Sequence, residues 1–148
     1  MSTGKENTND LIDIRLKETP LLQSECRAFI MAEGAGAEVY FIGTVRNRTN
    51  GKEVQRLEFE AYEPMAVSEM RKIAENALEK WPLLKVAIHH RTGVLDIGEV
   101  PVIIGVSSAH RKVAFEACQY CIDTLKETVP IWKKEIFTDG EQWVSAHP

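Results

Sequence analysis

Proline divides this chain where helix must give way to another conformation, and "LKETVPIWKKE", Leu125 to Glu135, is the strictest case. Proline has no backbone N–H and biases the residue before it toward extended conformation, so a helix arriving at Val129 stops there. Lys126 therefore sits on one element and Lys133, Lys134 and Glu135 on the next. Pro20 after Thr19 and Pro64 after Glu63 read as helix starts, and Pro82 after Trp81 as a helix end.

Between these marks the hydrophobic period assigns the rest. Ile12, Ile14 and Leu16 alternate in "LIDIRL", the pattern of a half-buried strand. A helix is expected from Thr19 and Pro20 until Gly34 and Gly36, then the strand "EVYFIGTV" and an exposed, basic loop from Arg46 to Lys52. Leu57, Phe59 and Ala61 alternate as a strand. Ala66, Met70, Ile73, Ala74, Ala77 and Trp81 recur at helical spacing, and "LKVAIHHRTG" and "VPVIIGVSS" read as two more strands. A helix from about Ala109 to Glu127 buries Ala114, Ala117, Cys121 and Leu125, and "IWKKEIF", "DG" and "EQWV" form a closing hairpin. Strands outnumber helices without strict alternation, which predicts a single α+β domain over residues 11–148, with three helices and a mixed, mostly antiparallel sheet. Residues 1–10 carry no apolar periodicity and are expected to be a disordered tail.

Eighteen Lys and Arg against 22 Asp and Glu give a net charge of -4, which argues against a nucleic-acid or membrane-surface binder. The longest aliphatic run, "VPVIIGV", is too short to span a bilayer, and no N-terminal apolar run follows a basic segment, so a cytoplasmic protein is expected. Three cysteines fit reduced thiols rather than a disulfide framework.

Within this acidic chain the cations gather at loops and helix ends. The two-residue period of "IWKKEIF" puts Lys133 and Glu135 on one face and Trp132 and Ile136 on the other, where the latter two are expected to be the buried pair. Lys126 falls in the last helical turn, a place that favours a cation for structural reasons alone. "VSSAHRKVAF" offers Ser107 or Ser108 as a helix cap and puts His110 and Arg111 in the first turn, where cations are disfavoured but an anion such as phosphate is welcomed. Arg46, Arg48 and Lys52 form a third basic segment. Each group read alone is also an ordinary solvated element end; together they suggest a small anionic ligand.

Several of these segments, in order, resemble the large-subunit (MoaE) family of molybdopterin synthases: "GTVRN", "HRTGVLDIGEVPVIIGVSSAHR", "AFEA", and "LKETVPIWKKE" followed by Trp143, within a span from about Leu11 to Val144. The resemblance implies a sulfurtransferase that installs two dithiolene sulfurs on cyclic pyranopterin monophosphate, without a cofactor of its own. It implies a small ubiquitin-like partner whose C-terminal glycine thiocarboxylate brings the sulfur, and a homodimeric core within a heterotetramer. It marks Thr44, Val45, Arg46, His110, Arg111, Lys126, Lys133, Lys134 and Glu135 as substrate-binding. Lys126 and Lys133 are expected to hold the thiocarboxylate and move protons. Many members continue past the "WV" with basic residues, whereas this chain ends in "SAHP" with His147.

"CQYC" has thiol-redox spacing, but Cys118 and Cys121 lie inside a helix and are expected to pack in the core. His89 and His90 stand on a strand, point to opposite faces and cannot chelate one ion together, and no metal site is expected. Rival readings are a non-catalytic adaptor that docks an acidic tail in a cationic groove, and Schiff-base chemistry through Lys126 or Lys133. Arg111 and Lys126 stand about 22 Å apart along one straight helix, so if a site uses both ends the simplest solution is a two-fold dimer that shares it.

Overall fold

A computed structural model describes residues 5–145. In chain order the elements are β1 (Lys5–Thr8), β2 (Ile12–Lys17), α1 (Gln23–Ile30), β3 (Ala37–Gly43), β4 (Arg48–Thr49), β5 (Lys52–Ala61), α2 (Glu63–Lys80), β6 (Leu83–Arg91), β7 (Gly93–Asp96), β8 (Val102–Ser108), α3 (Arg111–Thr128), β9 (Ile131–Phe137) and β10 (Gly140–Ser145). One sheet runs β1-β2-β6-β8-β3 and a second runs β10-β9-β5-β4, with β7 also paired to β5. Only β2 and β6 are parallel among these pairs, so the α+β architecture with a mostly antiparallel mixed sheet is observed.

The first sheet is covered on both faces. On β2 and β6, Ile12, Ile14, Leu16, Val86 and Ile88 enter the main core, to which α2 gives Ala66, Met70, Ile73, Ala74 and Ala77 and α3 gives Ala117, Cys118, Cys121 and Leu125. Ala87 and Ile103 point the other way, into a smaller cluster with Cys26 and Ile30 of α1. Gly105 on β8 makes this second packing possible. A Cβ there would stand 2.6 Å from Cys26 Sγ and 3.1 Å from Ile30 Cδ1, so a side chain would push α1 off the sheet.

Several local expectations are corrected. Helix α1 starts at Gln23, not Thr19: Leu22, extended at φ -120°, is its N-cap, and the chain before it runs open so that Leu21 reaches the small core cluster. The segment from Arg46 to Lys52 is exposed as expected, apart from half-buried Thr49, but it is not all loop: Asn50 and Gly51, at φ 50° and 78°, link β4 to β5, the left-handed pair a two-residue turn requires. Within the expected tail of residues 1–10, residues 1–4 lie outside the described residues and Lys5–Thr8 form β1, paired antiparallel to β2. Main-chain hydrogen bonding to a sheet edge needs no apolar period, which is why composition missed it. Ser108 does not cap α3; its hydroxyl donates to the His110 carbonyl, and His110 itself is the N-cap residue without a side-chain cap bond.

On β9 the expected buried pair is half observed: Ile136 is buried but Trp132 is not. Ile131, Glu135 and Phe137 are buried with Ile136, while Trp132 is 44% exposed. Phe59 pairs with Lys133 and Leu57 with Glu135 in the β5–β9 register. Opposed residues in an antiparallel pair share a face, so the core-facing β5 side chains carry Lys133 and Glu135 inward with them.

Gly105→Ala is expected to lower stability by about 1–3 kcal/mol through overpacking. In a chemical-denaturation cycle with Cys26→Ala, the double variant is expected to lose clearly less than the sum of the single losses; additive losses would show that the two sites do not meet.

Candidate active site

The end of α3, the end of β3 and the inward face of β9 converge on one hollow of about 380 Å³ between the two sheets. Its walls are apolar, with Phe41, Phe59, Val102 and Leu125, and its charged lining is cationic: Arg46, Lys126 and Lys133. Each cation comes from a different element. Lys126 stands in the last turn of α3, which closes with the Val129 N–H donating to the Leu125 carbonyl at 3.1 Å before Pro130 turns the chain. Lys133 is three residues further on, turned in by the β5–β9 register.

Arg46 and Thr44 are held at the rim by Val45, which is itself buried. The Val45 N–H donates to the Glu99 carbonyl and the Val45 carbonyl accepts from the Gly98 N–H, both at 2.9 Å. Val45 thus serves as the anchor that points its two neighbours at the hollow.

The electrostatics confirm that the cations share one environment. Burial pushes the Lys133 ammonium below the ordinary lysine range, Glu135 opposes that shift, and the charges of Lys126 and Arg46 add to it. A lysine so placed is a better acid and is closer to neutrality than a solvated one. A second hollow of about 370 Å³ is lined by Glu18, Glu60 and Glu63 and has the wrong sign for an anionic ligand.

The structure therefore brings together Thr44, Arg46, Lys126 and Lys133, with Val45 beneath and Glu135 buried on the same face of β9. Lys134 is on the opposite face, 3.5 Å from Glu141 and over the Trp143 ring at 4.9 Å. His110 and Arg111 are exposed at the other end of α3, an uninterrupted 18-residue helix. His147 lies outside the described residues.

Sequence reasoning missed His90, Phe59 and Phe41 as parts of the lining. The signal was present for His90: the strand period separates it from His89, whose Nε2 is 2.8 Å from Asp13 Oδ2 on the side of the sheet covered by α1. Cys118 and Cys121 are buried in the core, where burial pushes their thiols up to about 11 and about 12, so neither is a thiolate at neutral pH. No described helix is long and apolar enough to cross a membrane.

The family described as MoaE protein matches residues 16–128. The molybdopterin synthase catalytic subunit of Bacillus subtilis is 53% identical over 129 residues, covering 87% of this chain and 82% of that relative. The solved molybdopterin synthase from Staphylococcus aureus superposes with a TM-score of 0.85 at 41% identity, covering 93% of this chain and 98% of the other. A complex of subunits 1 and 2 of the molybdopterin-converting factor from Helicobacter pylori matches with a TM-score of 0.66 at 26% identity, over 85% and 82% of the two chains.

The lowered Lys133 pKa carries a stability consequence. Between the folded-state value and the ordinary lysine value the unfolded chain holds more protons, so stability rises with pH through that window. Lys133→Met is therefore expected to melt above wild type at neutral pH, and the advantage is expected to shrink toward the ordinary lysine pKa. Paired thermal melts across pH check this; a variant less stable at neutral pH would contradict it. For the cysteines, Cys118→Ala with Cys121→Ala is expected to retain catalytic activity with a stability loss of about 1 kcal/mol or more, read by denaturation beside the activity assay.

Proposed function

The chain belongs to the MoaE family, and on that premise we propose that it is the large, catalytic subunit of a molybdopterin synthase. In this reading it converts cyclic pyranopterin monophosphate to molybdopterin, and the sulfur arrives as a thiocarboxylate on the C-terminal glycine of a small ubiquitin-like subunit. The observation that carries the reading is the convergence of Arg46, Lys126 and Lys133 over an apolar floor. The reaction brings two anions together, a phosphate ester and a thiocarboxylate, and builds more negative charge as sulfur attacks carbon and the ester opens. Fixed cations in a half-enclosed site offset that charge in advance.

The roles divide by environment. Lys133, with its ammonium made more acidic by burial and like charge, suits proton transfer to the departing oxygen. Lys126 and Arg46 suit charge neutralisation of the thiocarboxylate and phosphate. Glu135, buried on the same face of β9, opposes the downward shift and so favours the protonated form of Lys133. Lys134, committed to Glu141 and Trp143, acts on the hairpin that carries Lys133 rather than on the ligand. This chemistry makes the enzyme a sulfurtransferase.

His110 and Arg111 enter the same reaction only through a second copy. One continuous helix holds Arg111 about 22 Å from Lys126, further than a pterin reaches. Phe115, one turn beyond Arg111, is 60% exposed, and Ile42 is exposed on β3 at the edge of its sheet. Apolar surface beside an otherwise idle basic pair fits a two-fold contact that delivers His110 and Arg111 to the partner's hollow. The assembly proposed is a homodimeric core with a small subunit at each site, a heterotetramer.

The decisive assay is incubation with cyclic pyranopterin monophosphate and the thiocarboxylated small subunit, followed by measurement of dithiolene product. Lys126→Ala and Lys133→Ala are each expected to lose at least about 100-fold in turnover while remaining folded. Tight binding of the small subunit with no turnover by wild type would favour a docking adaptor instead. Mixing inactive Arg111→Ala and Lys126→Ala proteins under subunit exchange is expected to restore about a quarter of wild-type activity, from one intact site in each mixed dimer. No recovery despite confirmed exchange would overturn the shared site.

A further inference from the structure

His90 is the least expected group in the cationic hollow. It comes from β6, directly opposite Val102 of β8, and is only 3% exposed, yet it lines the cavity with Arg46, Lys126 and Lys133. Its Nδ1 lies 2.9 Å from the carbonyl oxygen of Arg91. A carbonyl can only accept, so Nδ1 carries the proton and Nε2 is left with a lone pair. The Phe59 ring meets the imidazole edge to face at 5.5 Å and restrains its rotation. Among the described residues nothing hydrogen-bonds to Nε2, the ring nitrogen farther from the main chain.

Three features make that lone pair useful. The imidazole is already fixed in tautomer and orientation, so a ligand meets it without a reorganisation cost. It is neutral, because burial pushes its pKa down to about 4. It also complements its neighbours: Arg46, Lys126 and Lys133 offer only donors, and the remaining side chains of the lining are apolar except for Thr44 at the rim. A ligand held by those cations at its anionic end and carrying N–H groups at its other end finds its acceptor in His90.

We propose that His90 is a substrate-reading residue whose Nε2 accepts a hydrogen bond from an N–H of a phosphate-bearing nitrogen heterocycle seated between Arg46, Lys126 and Lys133. The proposal rests on the functional reading above and deepens it, since the cations recognise charge whereas His90 distinguishes a ring that donates from one that does not. A site built to receive a hydrogen bond discriminates strongly against a ligand that lacks the donor. His90 does not exchange a proton in the reaction; its part is to hold the heterocycle in register with the cations.

The test compares wild type, His90→Phe and His90→Gln in the dithiolene assay with the thiocarboxylated small subunit. His90→Phe keeps the ring and its packing against Phe59 but removes the acceptor; His90→Gln restores an acceptor at similar reach. For His90→Phe the KM for cyclic pyranopterin monophosphate is expected to rise about tenfold or more with kcat within about threefold, and His90→Gln is expected to recover most of that loss. Small-subunit affinity and melting temperature are expected to be preserved in His90→Phe. In the wild-type protein, the Nε2 nitrogen resonance is expected at an unprotonated position and to move upfield when the pterin phosphate is added, but not with inorganic phosphate. Unchanged KM in a folded His90→Phe variant, or an Nε2 resonance already protonated in the free protein, overturns the proposal while leaving the functional reading intact. Wild type that binds the small subunit but forms no product overturns the functional reading, and this proposal with it.

Discussion

The antiparallel register between β5 and β9 is the constraint on which the rest of the site depends. By setting Phe59 opposite Lys133 and Leu57 opposite Glu135, it makes the burial of two ordinary core side chains bring a lysine to the wall of the hollow and a carboxylate into the interior. A one-residue slip would send Lys133 to the outer face and bring Lys134 in. The same pairing fixes β9 relative to the first sheet, so Lys133 arrives beside the last turn of α3 and meets Lys126. Pro130 supplies the change of direction between the two lysines, and the sheet decides where the second one ends up.

Holding three cations around one hollow works against the stability of the fold. Burial and like charge both oppose the protonated form of Lys133, and Glu135 only partly offsets them. The arrangement persists because the surrounding elements are fixed by apolar contacts that do not involve the lysines: α2, α3 and the main face of β2, β6 and β8 form one continuous core. An anionic ligand reverses the sign of the problem, since the repulsion among the cations becomes attraction for the ligand.

The two adjacent histidines show how a doubly covered sheet separates tasks one residue apart. His89 is bonded to Asp13, and the Asp13 carboxyl, pushed up by its burial, is drawn down further by hydrogen bonds from His89 and Thr8 and by the charges of His89 and Arg15. That network lies on the face covered by α1 and ties β2 to β6. His90 faces the opposite way and ends in the ligand hollow. Because successive residues of a strand alternate sides, a fastening group and a reading group can be neighbours in sequence without sharing an environment.

The sequence by itself determined the elements whose signals are local. The period of Ala66 to Ala77 announced α2, Pro130 ended α3, and the alternation of "LIDIRL" announced β2, because each depends on residues a few positions apart. It also marked the cations as gathered at element ends, and its ordered segments carried the family resemblance. What it left open needed partners distant along the chain. Trp132 was misjudged as buried because its bulk weighed more in isolation than the pairing of β9 with β5, seventy-odd residues upstream. β1 escaped notice because main-chain pairing leaves no apolar period, and the place of His90 depended on which helix covered which side of β6. Local propensity selects helix or strand from neighbouring residues, but the side of a strand that becomes interior is set by what packs against it, and only the assembled tertiary structure contains that information.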